Sequence, residues 1–196
     1  MSPADAFEPL RFALERAGIR YAIGGSWAST AFGEPRFTND IDILGEFTEK
    51  NLEPFLETLP DTFYVDREEA LTAIRHGRSF NAIYMPMAFK FDFFPAAAFA
   101  LGHEELDRAI YLTDTGLTNA PAPFVTPEDI LLAKLFWFRL GGETSEGGAT
   151  YKASLGVVRT LSTAATCRAR RSSCRLATCW RERLKKLRRG SRASRS

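Results

Sequence analysis

Two aspartates stand two residues apart in the segment Asn39-Asp40-Ile41-Asp42-Ile43-Leu44. Side chains in a β-strand alternate between its two faces, so Asp40 and Asp42 point to one side and the isoleucines to the other. Two carboxylates this close repel each other unless a cation lies between them. Mg²⁺ suits such a pair, because it binds through one or two carboxylates and completes its octahedron with water and substrate phosphates. The pair therefore predicts metal-dependent phosphate chemistry.

A glycine pair in Ile23-Gly24-Gly25-Ser26 precedes the aspartates. Gly24 and Gly25 allow the backbone to approach a phosphate closely. The N–H groups at the start of a helix near Trp27 offer positive dipole ends, and Ser26 adds a hydroxyl donor. The segment predicts a site for a nucleoside triphosphate. The alternative is that the glycines only form a tight turn between a strand and a helix.

A third acid occurs in Phe89-Lys90-Phe91-Asp92-Phe93-Phe94. An unpaired carboxylate among phenylalanines is costly to bury, so Asp92 must emerge at a cleft or meet a cation. If its strand lies beside that of Asp40, three carboxylates converge. Two of them would hold metal, and Asp92 would help bind a second ion or accept a proton from an attacking hydroxyl. The alternative for the aspartate pair is an ordinary polar strand face.

Three further residues are candidates for contacts to phosphate. Arg36 and Thr38 either position the triphosphate or brace Asp40, although an Arg beside a Pro is commonly a solvated surface residue. Lys134 is the cation within the apolar stretch from Ile130 to Phe138. It either reaches phosphates in a cleft, because an unpaired buried ammonium is costly, or extends to water along its methylene stem.

The composition fits one modest domain that needs no disulfide bonds, with 196 residues of which 45% are hydrophobic. No apolar run approaches the ~20 residues of a membrane span. The first residues, Met1-Ser2-Pro3-Ala4-Asp5, lack the basic and apolar segments of a secretory signal. We therefore expect a cytoplasmic protein with no membrane partner.

The charge changes sign abruptly along the chain. From Gly147 onward there are eleven Arg and three Lys against one acid, a net charge of +13, whereas residues 1–146 carry −11. We predict a domain over residues 1–146 and a basic, poorly ordered tail over residues 147–196. The three cysteines, all in the tail, lack the close pairing of a structural zinc site. The tail is either the product of a frameshift near Glu146 or a basic arm for nucleic acid.

The order of elements predicts an α+β or α/β fold with a mixed sheet. Helices are predicted from Ala4 to Ala17, from Trp27 to Phe32, and after caps at Thr48, Asp66 and Thr126. Strands are predicted at Arg20 to Ile23, around Asp40 and Asp42, and at Thr62 to Val65, Ser79 to Tyr84 and Ala88 to Phe94.

Together the motifs resemble the signature of the nucleotidyltransferase superfamily with the polymerase-beta-type fold. The segments concerned are Ile23-Gly24-Gly25-Ser26, Asp40-Ile41-Asp42 and Phe91-Asp92-Phe93. The run from Gly33 to Asp40 also matches the G-x-x-R-x-T-x-D pattern of smaller bacterial members, which include toxin and antitoxin nucleotidyltransferases and antibiotic-modifying adenylyltransferases. The resemblance spans roughly Gly18 to Glu146. It implies an α+β fold with a mixed β-sheet flanked by helices.

The resemblance also implies an activity. Asp40, Asp42 and Asp92 would bind Mg²⁺ or Mn²⁺, and Gly24, Gly25 and Ser26 would hold the triphosphate. The enzyme would transfer a nucleoside monophosphate to an acceptor hydroxyl on tRNA, a protein or a small molecule. The alternative is an inactive interaction module, such as one half of a toxin–antitoxin pair with a cognate partner, or a nucleotide sensor.

Overall fold

The structure is a computed structural model that describes residues 2–32, 38–99 and 101–133. The fold is α+β and is built on a mixed seven-stranded sheet. Within the described residues, 2–31 and 38–126 belong to one compact unit, and Phe32 with residues 127–133 belongs to a second. The whole sheet lies in the first unit. The predicted boundary after residue 146 and the basic tail lie outside the described residues and stay predictions.

The seven strands of the sheet are short, with two to seven residues each. They are β1 (Tyr21–Ile23), β2 (Asp40–Gly45), β3 (Phe63–Tyr64), β4 (Phe80–Tyr84), β5 (Phe89–Pro95), β6 (Ile110–Leu112) and β7 (Ala122–Phe124). Their order across the sheet is β3-β4-β5-β2-β1-β7-β6. The pairs β2/β5 and β1/β7 are parallel, and the other four pairs are antiparallel.

Among the described residues, five complete helices accompany the sheet: α1 (Pro3–Arg16), α2 (Gly25–Ala31), α3 (Glu49–Thr58), α4 (Arg67–Arg75) and α5 (Gly102–Asp107). A sixth helix begins at residue 127, and its described part runs to residue 133. Two short 3-10 turns lie at Met85–Met87 and Ala96–Ala98.

Local sequence explains where the longer helices begin. The Thr48 hydroxyl accepts a hydrogen bond from the Asn51 backbone N–H, and the Asn51 side chain accepts one from the Thr48 N–H in return. Asp66 caps α4 by accepting from the Glu69 N–H at 2.9 Å. These bonds satisfy backbone donors that the first turn of a helix leaves unpaired, so both predicted caps are confirmed.

An aromatic cluster forms much of the core on one face of the sheet. Phe93 is fully buried, and its ring centroid lies 5.3 Å from that of Phe47, 5.6 Å from Phe55 and 4.9 Å from Phe80. Alternate residues of β5 carry the cluster along the strand, since Phe91 is also fully buried. Such ring pairs add to the hydrophobic stabilisation of the buried area.

Most of the predicted elements are present, and the differences are local. The second helix begins at Gly25, two residues before the predicted start at Trp27, because the backbone turns directly from β1 into the helix. Among the described helices and strands, α5, β6 and β7 were not predicted, and neither were the two 3-10 turns. β7 has the sequence Ala-Pro-Phe, in which a proline weakens the strand pattern.

None of the helices within the described ranges is long and apolar enough to cross a membrane.

The aromatic cluster predicts a large cost for truncating its central ring. Phe93→Ala should lower the free energy of unfolding by about 3–5 kcal/mol, because it opens a cavity between three rings. Urea unfolding measures this loss. Phe12→Ala is the matched control: Phe12 is 57% exposed on α1, so its loss should change stability by no more than about 0.5 kcal/mol. Equal effects of the two changes would contradict the cluster's role.

Candidate functional site

The parallel pairing of β2 with β5 brings the acidic residues to one face of the sheet. Asp42 lies directly opposite Asp92, and Asp40 lies opposite Lys90. All four are partly exposed, whereas the residues between them on each strand, including Ile41 and Phe91, are fully buried on the other face. The two strands are therefore neighbours, as convergence of the three carboxylates requires.

A polar residue of β4 extends this row. Asn81 is exposed and lies opposite Asp92 across the antiparallel β4/β5 pair. Residues in register on adjacent strands share a face, so Asp42, Asp92 and Asn81 follow one another across three strands. This row and Asp40 with Lys90 beside it form a polar face that we call the acidic face.

The glycine turn lies on the other side of Asp42. Gly24 donates its backbone N–H to the Asp42 carbonyl oxygen at 2.8 Å, which continues the β1/β2 pairing by one residue. Gly25 has φ of +56°, and a Cβ added there would lie 1.6 Å from Asp42 Oδ2 and 2.6 Å from Cγ. Only a glycine lets the backbone come this close to the Asp42 carboxylate.

Gly24, the residue before Gly25, has more space around its Cα. A Cβ on Gly24 would meet nothing nearer than 3.8 Å, so the close approach belongs to Gly25 alone of the pair. Ser26 follows inside α2 and is half-buried. The glycine turn thus places the main chain of Gly24 and Gly25 next to Asp42 of the acidic face.

Thr38 braces Asp40 directly. Its hydroxyl donates to Asp40 Oδ1 and lies 3.3 Å from the Asp40 carbonyl oxygen. Of the two roles that the sequence left open for Thr38, the observed contacts favour the orientation of Asp40.

Lys90 places a positive charge among the carboxylates. Its Nζ lies 2.7 Å from Asp92 Oδ2, with the lysine side chain 45% exposed and that of Asp92 20% exposed. The hydrogen bond to Asp92 raises the pKa of Lys90 above its ordinary value despite partial burial, and the charges of Asp92, Asp40 and Asp42 add to the increase. All three carboxylates therefore act on this one ammonium.

The donor set fits a hard cation in its chemistry, because carboxylate oxygens on neighbouring strands are ligands that Mg²⁺ accepts. The side chains are turned to protein partners: Asp92 to Lys90, and Asp40 to Thr38. Accordingly, within the described part of the chain, no three His, Cys, Asp or Glu side chains already form a group that could hold a metal ion. Binding of a metal ion by all three carboxylates would require Asp92 to exchange Lys90 for the ion.

Two predicted site residues, Arg36 and Lys134, lie outside the described residues. Two residues of the acidic face, Lys90 and Asn81, were missed by the sequence reasoning. The signal for Lys90 was present, since it stands two residues before Asp92 and so shares its face. Asn81 had no such signal, because its place opposite Asp92 depends on the register between two strands.

Comparison with known proteins adds no relative: no family model matches the chain, and a search of curated proteins gives no match.

The geometry at Gly25 predicts a specific defect in Gly25→Ala. The new Cβ must displace the Asp42 carboxylate. If this face holds a divalent ion, Gly25→Ala should bind Mn²⁺ more weakly in a calorimetric titration. Its free energy of unfolding should also fall by more than the cost of a left-handed alanine alone, which is about 1–2 kcal/mol.

Gly18→Ala is the matched control for that change. Gly18 has a similar φ of +65°, but an added Cβ meets nothing within 4 Å. In urea unfolding, Gly18→Ala should lower the free energy of unfolding by the cost of a left-handed alanine alone. Its affinity for Mn²⁺ should equal that of the wild type. Equal Mn²⁺ affinity in the two variants would show that the contact with Asp42 is irrelevant to binding.

Proposed function

We propose that this protein is a Mg²⁺-dependent nucleotidyltransferase, which transfers a nucleoside monophosphate from a nucleoside triphosphate to an acceptor hydroxyl. The observation that carries the proposal is the position of Asp42, with Asp92 opposite it on one side and the Gly24-Gly25 turn against it on the other. The sequence resemblance to the nucleotidyltransferase superfamily rests on these same three segments.

The carboxylates have distinct roles in this proposal. Asp40 and Asp42 would hold the metal, and Thr38 would keep the Asp40 carboxylate in place. A bound Mg²⁺ would neutralise phosphate charge and polarise the phosphoryl oxygens. Asp92 faces the same side, and it would either complete the metal site or accept the proton of the attacking hydroxyl.

The glycine turn supplies the place for the triphosphate. Because Gly25 leaves no room for a side chain beside Asp42, a phosphate held by the main chain at Gly24, Gly25 and Ser26 would lie next to the carboxylates. Arg36 and Lys134 are proposed as further phosphate contacts. Transfer would then depend mainly on positioning and charge neutralisation, since phosphoryl chemistry asks little covalent participation of the protein.

The acceptor is open among tRNA, a protein and a small molecule, and a cognate toxin or antitoxin is a candidate partner. We expect transfer of label from one of the four α-labelled ribonucleoside triphosphates, with Mg²⁺, to tRNA, protein or aminoglycoside acceptors. Absence of transfer with every combination would count against the enzyme.

Substitution of the paired carboxylates tests the site itself. Asp42→Asn and Asp92→Asn should each lower the transfer rate by about a hundredfold or more, because each removes charge stabilisation worth several kcal/mol. Neither change should unfold the protein, since loss of a charge relieves the repulsion of a directly opposed like-charged pair. Circular dichroism checks the fold. Asp61→Asn, in an exposed turn, is the control and should keep full activity; activity that persists in Asp42→Asn would refute the assigned role.

One observation favours a second candidate, a nucleotide sensor or interaction module without turnover. Lys90 already neutralises part of the acidic face, so a protein cation offsets its charge without a metal ion. Isothermal titration separates the possibilities. An enzyme binds the triphosphate with Mg²⁺ and turns it over, a sensor binds without turnover, and an interaction module gives no binding heat.

A further inference from the structure

Lys90 occupies a position set by two strands at once. It precedes Asp92 by two residues on β5, so both side chains point to the acidic face. Across the parallel pair it lies opposite Asp40 and diagonally from Asp42, which is two residues further along β2. Lys90 is therefore a neighbour of all three aspartates, along β5 or across to β2, and its ammonium contacts Asp92.

The position of Lys90 offsets the repulsion between two carboxylates. Like charges directly opposite each other on neighbouring strands are destabilising, and Asp42 and Asp92 form such a pair. A cation beside them offsets the repulsion. Lys90 supplies this cation, with its Nζ 2.7 Å from Asp92 Oδ2. Its side chain is flexible and 45% exposed.

We propose that Lys90 is a tethered counter-cation of the acidic face, which holds Asp92 in the metal-free protein and must leave it when a divalent cation binds. This inference rests on the proposed metal site but not on catalysis. Half-exposed ion pairs contribute little to stability, so the Lys90 contact is easily exchanged. As a consequence, a higher concentration of the divalent ion is needed for binding, because the ion has to compete with a positive charge that is permanently attached to the site.

The first test measures metal affinity without nucleotide. Mn²⁺ is titrated calorimetrically into the full chain carrying Lys90→Met, Lys90→Arg or Lys50→Met, at one ionic strength. Removal of a unit charge beside the ion should tighten Mn²⁺ binding about tenfold in Lys90→Met. Lys90→Arg keeps the charge and should stay close to the wild type. Lys50→Met removes an exposed charge of α3 and should also match it.

A second measurement uses the wild-type protein, so it does not depend on the folding of a variant. The rate of acetylation of Lys90 by an amine-reactive ester is followed by mass spectrometry with and without Mg²⁺. Release from Asp92 should raise the rate at Lys90 relative to Lys50.

The outcomes separate this inference from the proposed function. Tighter Mn²⁺ binding by Lys90→Met supports the counter-cation even if no transfer activity is found. Unchanged or weaker binding by Lys90→Met, or an acetylation rate that Mg²⁺ does not alter, overturns it even in an active enzyme. Absence of Mn²⁺ binding in both the wild type and Lys90→Met overturns it together with the metal site.

Discussion

The register between β2 and β5 is the constraint on which the rest of the candidate site depends. It sets Asp42 opposite Asp92 and, in the same step, Ile41 opposite Phe91 on the buried face. A slip of one residue would turn the aspartates into the aromatic core and the phenylalanines into solvent, and both changes are costly. The hydrophobic alternation that stabilises the sheet is therefore what holds the carboxylates together.

This register places three carboxylates close together, and neighbouring residues compensate their charge or fix their orientation. Lys90 compensates Asp92, and the Thr38 hydroxyl orients Asp40. The main chain of Gly25 lies against the Asp42 carboxylate, so residue 25 has no room for a side chain. Because β2 lies between β5 and β1 in the sheet, Asp92 approaches Asp42 from one side of β2 and the glycine turn approaches it from the other. If a triphosphate and a divalent ion bind here, Asp92 must exchange its contact with Lys90 for one with the ion.

Much of the local structure follows from short patterns. The caps at Thr48 and Asp66, the glycine turn and the alternation of β5 each depend on contacts within a few residues, which the sequence displays. The elements that were missed lack such patterns. α5 begins at Gly102 without a capping side chain, and a Cβ there would lie 2.2 Å from the Ala96 carbonyl oxygen. Its glycine is required by close packing, which is a tertiary condition.

In the candidate site, too, some features follow from local sequence and others from tertiary contacts. The sequence by itself determined that Asp40 and Asp42 share a face, that Asp92 shares one with Lys90, and that a flexible turn precedes them, because strand alternation and glycine freedom are local properties. Only the tertiary structure decided that Asp42 meets Asp92, that Gly25 touches the Asp42 carboxylate and that Asn81 joins the row. Those contacts depend on which strands pair and in what register, and that choice is made by burial of side chains far apart in the chain.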